Sequence, residues 1–297
     1  MNSKIQNKKI AILGSSPVML ILFYLLKKNN SVFIFDDNEL IGGAWKKKFY
    51  KNRLMNVYSN VVLPINNKEY EKQQKINLLL IKTKIGIKIK RTKKIFNVIF
   101  KPKNYFNYDF NYFYKKIKNQ SKNIINEKVK KIEILENKKV RLNNNYLFDK
   151  VFFPSFFGIN HFYNEGKKIN IKFKLIESQH ISIIAEKINQ RLFYSDFYDY
   201  SFDRVNTYRH KNFFNLTARI SKSLKKTKLE YLKKRITESF PSIIVKKFFI
   251  NKYKNYYRDN AQCAELKLKL KKKNIIYVDT TSFIMGVSQI INYIRRY

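Results

Sequence analysis

The stretch KKIAILGSSPVMLILFYLLKKNNSVFIFDDNELIGGAW, Lys8 to Trp45, decides how the chain is read. Ile10 to Leu13 is an apolar run without polar alternation, the pattern of a parallel strand buried on both faces. Gly14-Ser15-Ser16-Pro17 breaks it, and Pro17 suits the first helical position, where a missing N–H costs nothing. Val18 to Lys28 then predicts a helix that ends in the basic pair Lys27-Lys28, at the negative end of its dipole. Val32 to Phe35 predicts a second buried strand, tipped by Asp36.

A strand, a tight turn, a helix and an acid-tipped strand make up the unit that binds a dinucleotide. The helix N-terminus directs N–H groups and partial positive charge at a pyrophosphate. A carboxylate about twenty residues on takes the ribose hydroxyls. Here Asp36 lies twenty-two residues after Gly14. Where the glycine fingerprint runs G-x-G-x-x-G, this chain has Gly14, Ser16 and Met19.

Six residues past Asp36 come Gly42 and Gly43, within DDNELIGGAW. At this spacing the stretch resembles the flavoprotein superfamily of the amine oxidases, protoporphyrinogen oxidase and UDP-galactopyranose mutase. The resemblance implies an α/β fold: a Rossmann-like FAD/NAD(P)-binding domain with a parallel sheet and a β-meander, plus an inserted α+β substrate region. It also implies FAD as cofactor, with the Gly-Gly backbone and the adjoining Ala44 and Trp45 lying against it.

Two further segments carry the resemblance. Val129-Lys-Lys-Ile-Glu-Ile-Leu, Lys139-Val-Arg-Leu and Tyr146-Leu-Phe-Asp-Lys-Val-Phe-Phe are short strand patterns separated by Asn-rich turns. In the family, a valine at the place of Val129 meets the adenine through its backbone, and a strand matched by Phe148-Asp149-Lys150-Val151 returns to the flavin. Asn274 to Asp279 is a strand ending in an acid, followed by Met285-Gly286-Val287-Ser288 at a helix start. By resemblance Asp279 holds the ribityl chain or phosphate, and Gly286-Val287 brings backbone N–H groups to the ring. Val278 stands where the family has glycine.

The expected division is a discontinuous cofactor domain, 1–155 and 245–297, with an inserted region at 156–244. Within the insertion, Phe202-Asp-Arg-Val-Asn-Thr-Tyr-Arg-His210 resembles a Thr-Arg-Ile/Val-x-Glu-x-Lys-His segment of UDP-galactopyranose mutases, with Thr207 in place of the acid. Arg204, Arg209 and His210 are the substrate-side candidates, because guanidinium grips phosphate oxygens in pairs; the same residues also read as the solvated face of an edge strand. The mutase signature Gly-x-His-x-Phe-His is missing around Tyr58 to Pro64. Leu224 to Phe240 predicts an amphipathic helix closed by Pro241, and residues 76–100 read as strand. No residue combines position and partner strongly enough to be named a catalytic base.

The net charge of +41 ordinarily points to nucleic acid or an anionic membrane. Lysine outnumbers arginine 51 to 11, however, and every favoured residue has A/T-rich codons. Arginine makes the bidentate nucleic-acid contacts, so no specific nucleic acid is expected. The uncharged run Ile10 to Leu26 has nearly the length of an anchor. Gly14 to Pro17 in its middle, and a further buried strand beyond it, argue against a transmembrane segment; peripheral contact with an anionic membrane stays open. Cys263 is the only cysteine, which excludes an intrachain disulfide and favours the cytoplasm. The three histidines, 161, 180 and 210, have no metal-ligand spacing, and no metal site is expected. The expected protein is a cytoplasmic FAD enzyme: an oxidoreductase, or a mutase acting on a nucleotide-sugar or glycan precursor. Two alternatives stand beside it, a non-catalytic descendant of the fold and a basic nucleic-acid or membrane binder.

Overall fold

The structure, a computed structural model, describes residues 6–37, 41–43, 47–50, 53–56, 81–85, 87–91, 96–98, 105–109, 117, 121–154, 159, 161–169, 174–186, 194–198, 202–210, 213–220, 228–239, 244–257, 264–265, 268, 270, 274–280 and 283–296. The chain forms two compact units. The first comprises Met1–Gly43, Phe113–Ile176 and Asn255–Tyr297; the second comprises Ala44–Tyr112 and Glu177–Lys254. Residues 44–112 therefore group with the inserted region, where the sequence division had placed them in the cofactor domain. Among the described residues of this stretch, Ile87–Arg91 and Phe96–Val98 are strands of the second unit's seven-stranded sheet.

The first unit is built on β1 (Lys9–Leu13), α1 (Pro17–Leu26), β2 (Ser31–Phe35), β3 (Ile124–Ile125), β4 (Lys131–Ile134), β5 (Val140–Leu142), β6 (Tyr146–Phe148), β7 (Lys150–Pro154), β8 (His161–Asn164), β9 (Lys167–Lys168), β10 (Ile275–Val278) and α2 (Phe283–Arg296). One sheet has the order β10-β7-β1-β2-β3, with every pairing parallel. Ile10, Ala11, Ile12 and Leu13 are wholly buried, because β1 is central in this sheet. Helix α1 is apolar nearly all round and buried from Pro17 to Phe23. It stops two residues short of the expected Lys28. Lys27 is its C-cap, and Asn30 Nδ2 donates to the Leu26 carbonyl at 2.9 Å, covering one of the terminal acceptors.

The second sheet is the meander, in order β6-β5-β4-β8-β9. Its turns use asparagine for a local reason. Asn143 and Asn144 adopt φ of 47° and 69°, a left-handed conformation that asparagine tolerates better than most residues. Asn143 Oδ1 also accepts the N–H groups of Lys130 and Lys131. The segment Tyr146 to Phe153, read from sequence as one strand, is two strands in different sheets. Asp149 is the joint: its N–H donates to the Lys9 carbonyl at 2.8 Å, and its Oδ2 accepts the Lys9 N–H at 2.8 Å. The meander packs onto the parallel sheet through Phe35, whose ring meets Tyr146 and Phe148 edge-on at 5.1 and 5.7 Å. Such pairs are each worth ~1 kcal/mol beyond the area they bury.

The second unit holds a seven-stranded sheet in the order Ile244–Tyr257, Lys174–Glu186, Phe213–Ile220, Phe202–His210, Tyr194–Tyr198, Ile87–Arg91, Phe96–Val98. Period-2 alternation divides its central strands into two faces. Ile181, Ile183, Ala185, Leu216 and Ala218 form one face, packed with Leu232 of the helix Leu229–Ser239. The expected helix from Leu224 to Phe240 is described only over this span; residues 221–227 and 240 lie outside the described residues.

Candidate functional site

The strand order of the parallel sheet reverses at β1: β2 and β3 extend it on one side, β7 and β10 on the other. In open α/β sheets, ligands bind outside the carboxyl ends of the strands at such a switch point. Gly14, Asp36 and Asp279 stand at the carboxyl ends of β1, β2 and β10.

Gly14 leaves β1 with φ of 75°, a value that favours glycine, and its N–H donates to the Phe35 carbonyl at 2.7 Å. Ser15 is 1% exposed and bonds in two directions. Its N–H donates to Asp36 Oδ2 at 2.8 Å, and its Oγ accepts the Gly42 N–H at 2.9 Å. Gly42 and Gly43 have φ of 115° and 54°. A Cβ on Gly43 would lie 3.1 Å from Ser16 Cα, so the Gly-Gly turn rests directly on the Gly14–Pro17 turn. The acid, the helix-opening turn and the glycine pair thus form one contiguous arrangement.

Ser16 is the N-cap of α1, extended at φ −60° and ψ 157°, and its side chain makes no capping bond. Its Oγ is buried without a hydrogen-bond partner, as expected of a hydroxyl placed for a ligand oxygen. Pro17 occupies the first helical position as the sequence indicated. Met19, the departure at the third glycine position, is wholly buried.

The last strand and helix supply the far side. Asp279 follows β10, and its N–H donates to Gln289 Oε1 at 2.8 Å, while Gln289 Nε2 donates to the Tyr277 carbonyl at 2.7 Å. Gly286 in α2 is buried, and a Cβ there would stand 2.5 Å from the Asp279 carbonyl oxygen and 2.9 Å from Val18 Cγ1. Val287 follows it in the same helix. Val129 is wholly buried in the core beneath the meander, two residues before β4 rather than inside a strand. Ala44 and Trp45 lie outside the described residues. Sequence reasoning missed the Ser15 hydroxyl and Gln289. The Ser15 hydroxyl acts across twenty-seven residues and Gln289 across ten and twelve, and neither spacing carries a sequence signal.

The second unit contributes a separate cluster. On the sheet face opposite the apolar one, His180, Ser182 and Thr217 are 4%, 2% and 1% exposed. His180 pairs in register with Arg219, and Ser182 with Thr217. Asn251 Nδ2 donates to Ser182 Oγ at 3.3 Å. Burial, reinforced by the Arg219 charge, lowers the His180 pKa to about 4. In the neighbouring strand, position 204 pairs with Arg219 and position 210 with Phe213, in unbroken register. Positions 204 and 210 therefore share the face of Thr217 and Arg219, and position 209 falls on the other.

No family model and no curated protein matches the sequence. Solved structures do match in fold. One is a reduced UDP-galactopyranose mutase, with a TM-score of 0.66 and 9% identity, over 98% of this chain and 95% of that one. Another is wild-type putrescine oxidase bound to putrescine, also at 0.66 and 9%, over 98% and 99%. A third is the CLA-producing fatty acid isomerase from P. acnes, at 0.61 and 10%, over 100% of both chains. At these identities the likeness is one of fold. The chain has the mixed α/β, Rossmann-like fold of the FAD/NAD(P)-binding flavoproteins, with its parallel sheet and meander. Among the described residues, no helix is long and apolar enough to cross a membrane.

Proposed function

We propose that the chain is a FAD-binding flavoprotein whose enzymatic chemistry is flavin redox or flavin-nucleophile chemistry on a small polar substrate, a nucleotide-sugar or glycan precursor. The observation that carries this reading is the convergence of Asp36, Ser15 and Gly42 through two buried hydrogen bonds at the switch point of the parallel sheet. FAD, when bound, supplies the electron-accepting or nucleophilic ring that carries the hard step.

The chain's own groups would bind and orient it. Asp36 takes the ribose hydroxyls, the N-terminus of α1 with Ser16 Oγ receives the pyrophosphate, and the Gly42–Gly43 backbone lies against the cofactor. Val129 serves the adenine, and Asp279 with Gly286-Val287 serves the ribityl and ring end. On the substrate side, Arg204, Arg209 and His210 are the residues proposed to meet an anionic substrate, because guanidinium grips phosphate oxygens in pairs. A single cysteine is in keeping with a reducing, cytoplasmic setting.

The test is purification with a visible spectrum, followed by reconstitution with FAD. Flavin absorbance in the wild type, lost in Asp36→Ala, is the expected result. A colourless protein that takes up no FAD would leave a non-catalytic descendant of the fold in its place. Retention on a polyanion column through raised salt would restore the nucleic-acid reading, whereas elution at modest salt would mark generic charge.

A further inference from the structure

We propose that Ser15 is a positioning residue: its hydroxyl docks the Gly42–Gly43 turn onto the Gly14–Pro17 turn and couples the placement of that turn to the placement of Asp36. The docking stands on geometry alone, and its consequence for FAD rests on the reading above.

The two bonds of Ser15 leave opposite sides of one residue. The backbone N–H fixes the Asp36 carboxylate, and the side-chain oxygen fixes the Gly42 N–H. Both are buried, so water does not substitute for either partner. Gly42 and Gly43 hold positive-φ conformations that glycine adopts freely, so the backbone alone does not fix where their turn sits. Among the described residues, the pair meets the Ser15 hydroxyl and the close face of Ser16, whose Cα is 3.1 Å from a built Cβ on Gly43. The Ser16 contact is van der Waals and sets distance only. The Ser15 bond is directional and sets orientation. A glycine or alanine at position 15 would keep the Asp36 bond, which uses backbone, and lose the Gly42 bond, which uses the hydroxyl. Serine in a glycine-type turn therefore has a specific task here, and this separates Ser15 from Ser16, whose Oγ has no protein partner.

The test compares Ser15→Ala, Ser15→Thr and Ser16→Ala in full-length protein. In a sample labelled with ¹⁵N-glycine, seven amide signals report the seven glycines, and the Gly42 exchange rate is read directly. Ser15→Ala is expected to speed Gly42 exchange by about tenfold or more, as a buried N–H loses its acceptor. FAD affinity should fall by about tenfold as well, while Ser15→Thr restores both because the hydroxyl returns. Ser16→Ala should leave Gly42 exchange at the wild-type rate. The melting temperature of the cofactor-free Ser15→Ala protein should stay within a few degrees of wild type, which a general loss of packing would not allow. Wild-type Gly42 exchange in Ser15→Ala would overturn the docking. Faster exchange with unchanged FAD affinity would overturn the coupling. A wild type that binds no FAD would remove the flavin reading and the coupling, and the exchange rates would still decide the docking.

Discussion

Gly286 approaches Asp279 so closely that a Cβ on it would lie 2.5 Å from the Asp279 carbonyl oxygen. Real Cβ atoms do not approach backbone oxygen so closely, and a second obstacle, Val18 Cγ1, lies at 2.9 Å. The last helix, the end of the last strand and the first helix meet at this one Cα. Gly286→Ala is therefore expected to destabilise the protein by about 1–3 kcal/mol through overpacking. Gly166→Ala is the comparison: φ is 75° there, but nothing lies within 4 Å of a built Cβ. Backbone strain alone would cost it ~1 kcal/mol. Denaturant midpoints of the two variants measure close approach against strain.

Asp36 accepts a buried backbone N–H, so its two obvious replacements should differ. Asp36→Ala leaves the Ser15 N–H buried without an acceptor and is expected to cost about 1–3 kcal/mol. Asp36→Asn keeps one carbonyl oxygen for that bond and should fall well below this cost in the absence of cofactor. Both should lose FAD affinity. Unfolding in denaturant, without FAD, checks the ranking, and equal losses would remove the bond from the account.

His180 ties stability to pH. Burial first, and the Arg219 charge second, lower its pKa from 6.5 to about 4. Above pH 6.5 the side chain is neutral in both folded and unfolded chains and has no pH-linked effect. Below that value the unfolded chain takes up a proton that the folded chain refuses, so stability falls as pH drops toward 4 and then levels off. By pH 5 the loss from this one group is about 2 kcal/mol. His180→Gln should flatten that part of the profile, measured by denaturant unfolding from pH 7.5 to 4.5. An unchanged slope would mean that His180 titrates normally.

Gln289 holds the loop after β10 with both ends of its amide. Gln289→Leu fits a similar volume but leaves the Asp279 N–H and the Tyr277 carbonyl without this partner. A loss of about 1–3 kcal/mol is expected, and exchange of the Asp279 amide should quicken while β1 stays protected. Protection of Asp279 equal to wild type would show that the loop holds itself.

The elements readable in the sequence are those whose environment is uniform along their length. Ile10–Leu13, Val32–Phe35 and Ile275–Val278 are buried on both faces, so unbroken apolar runs announce them. Pro17 and the glycines with left-handed φ announce their turns through covalent geometry. What stayed hidden depends on contacts between distant residues. The break at Asp149 is set by Lys9, the Gly42 docking by Ser15, and the Asp279 loop by Gln289. The grouping of residues 44–112 with 177–254 was hidden for the same reason, since Ile87–Arg91 finds its partner in Tyr194–Tyr198.

Strand β10 covers the flank of β7, pairing Val151 with Ile275 and Pro154 with Val278. Those partners are synthesised more than a hundred residues apart, with most of the second unit between them. During translation the earlier strand emerges with one hydrogen-bonding edge open, and it stays open until Ile275–Val278 has been made. A transcript cut short before Ile275 would release a polypeptide with a bare, strongly apolar β-edge, Val151-Phe-Phe, which is a template for self-association. The burden on chaperones should accordingly fall on chains that lack Ile275–Val278 and ease once that strand has paired.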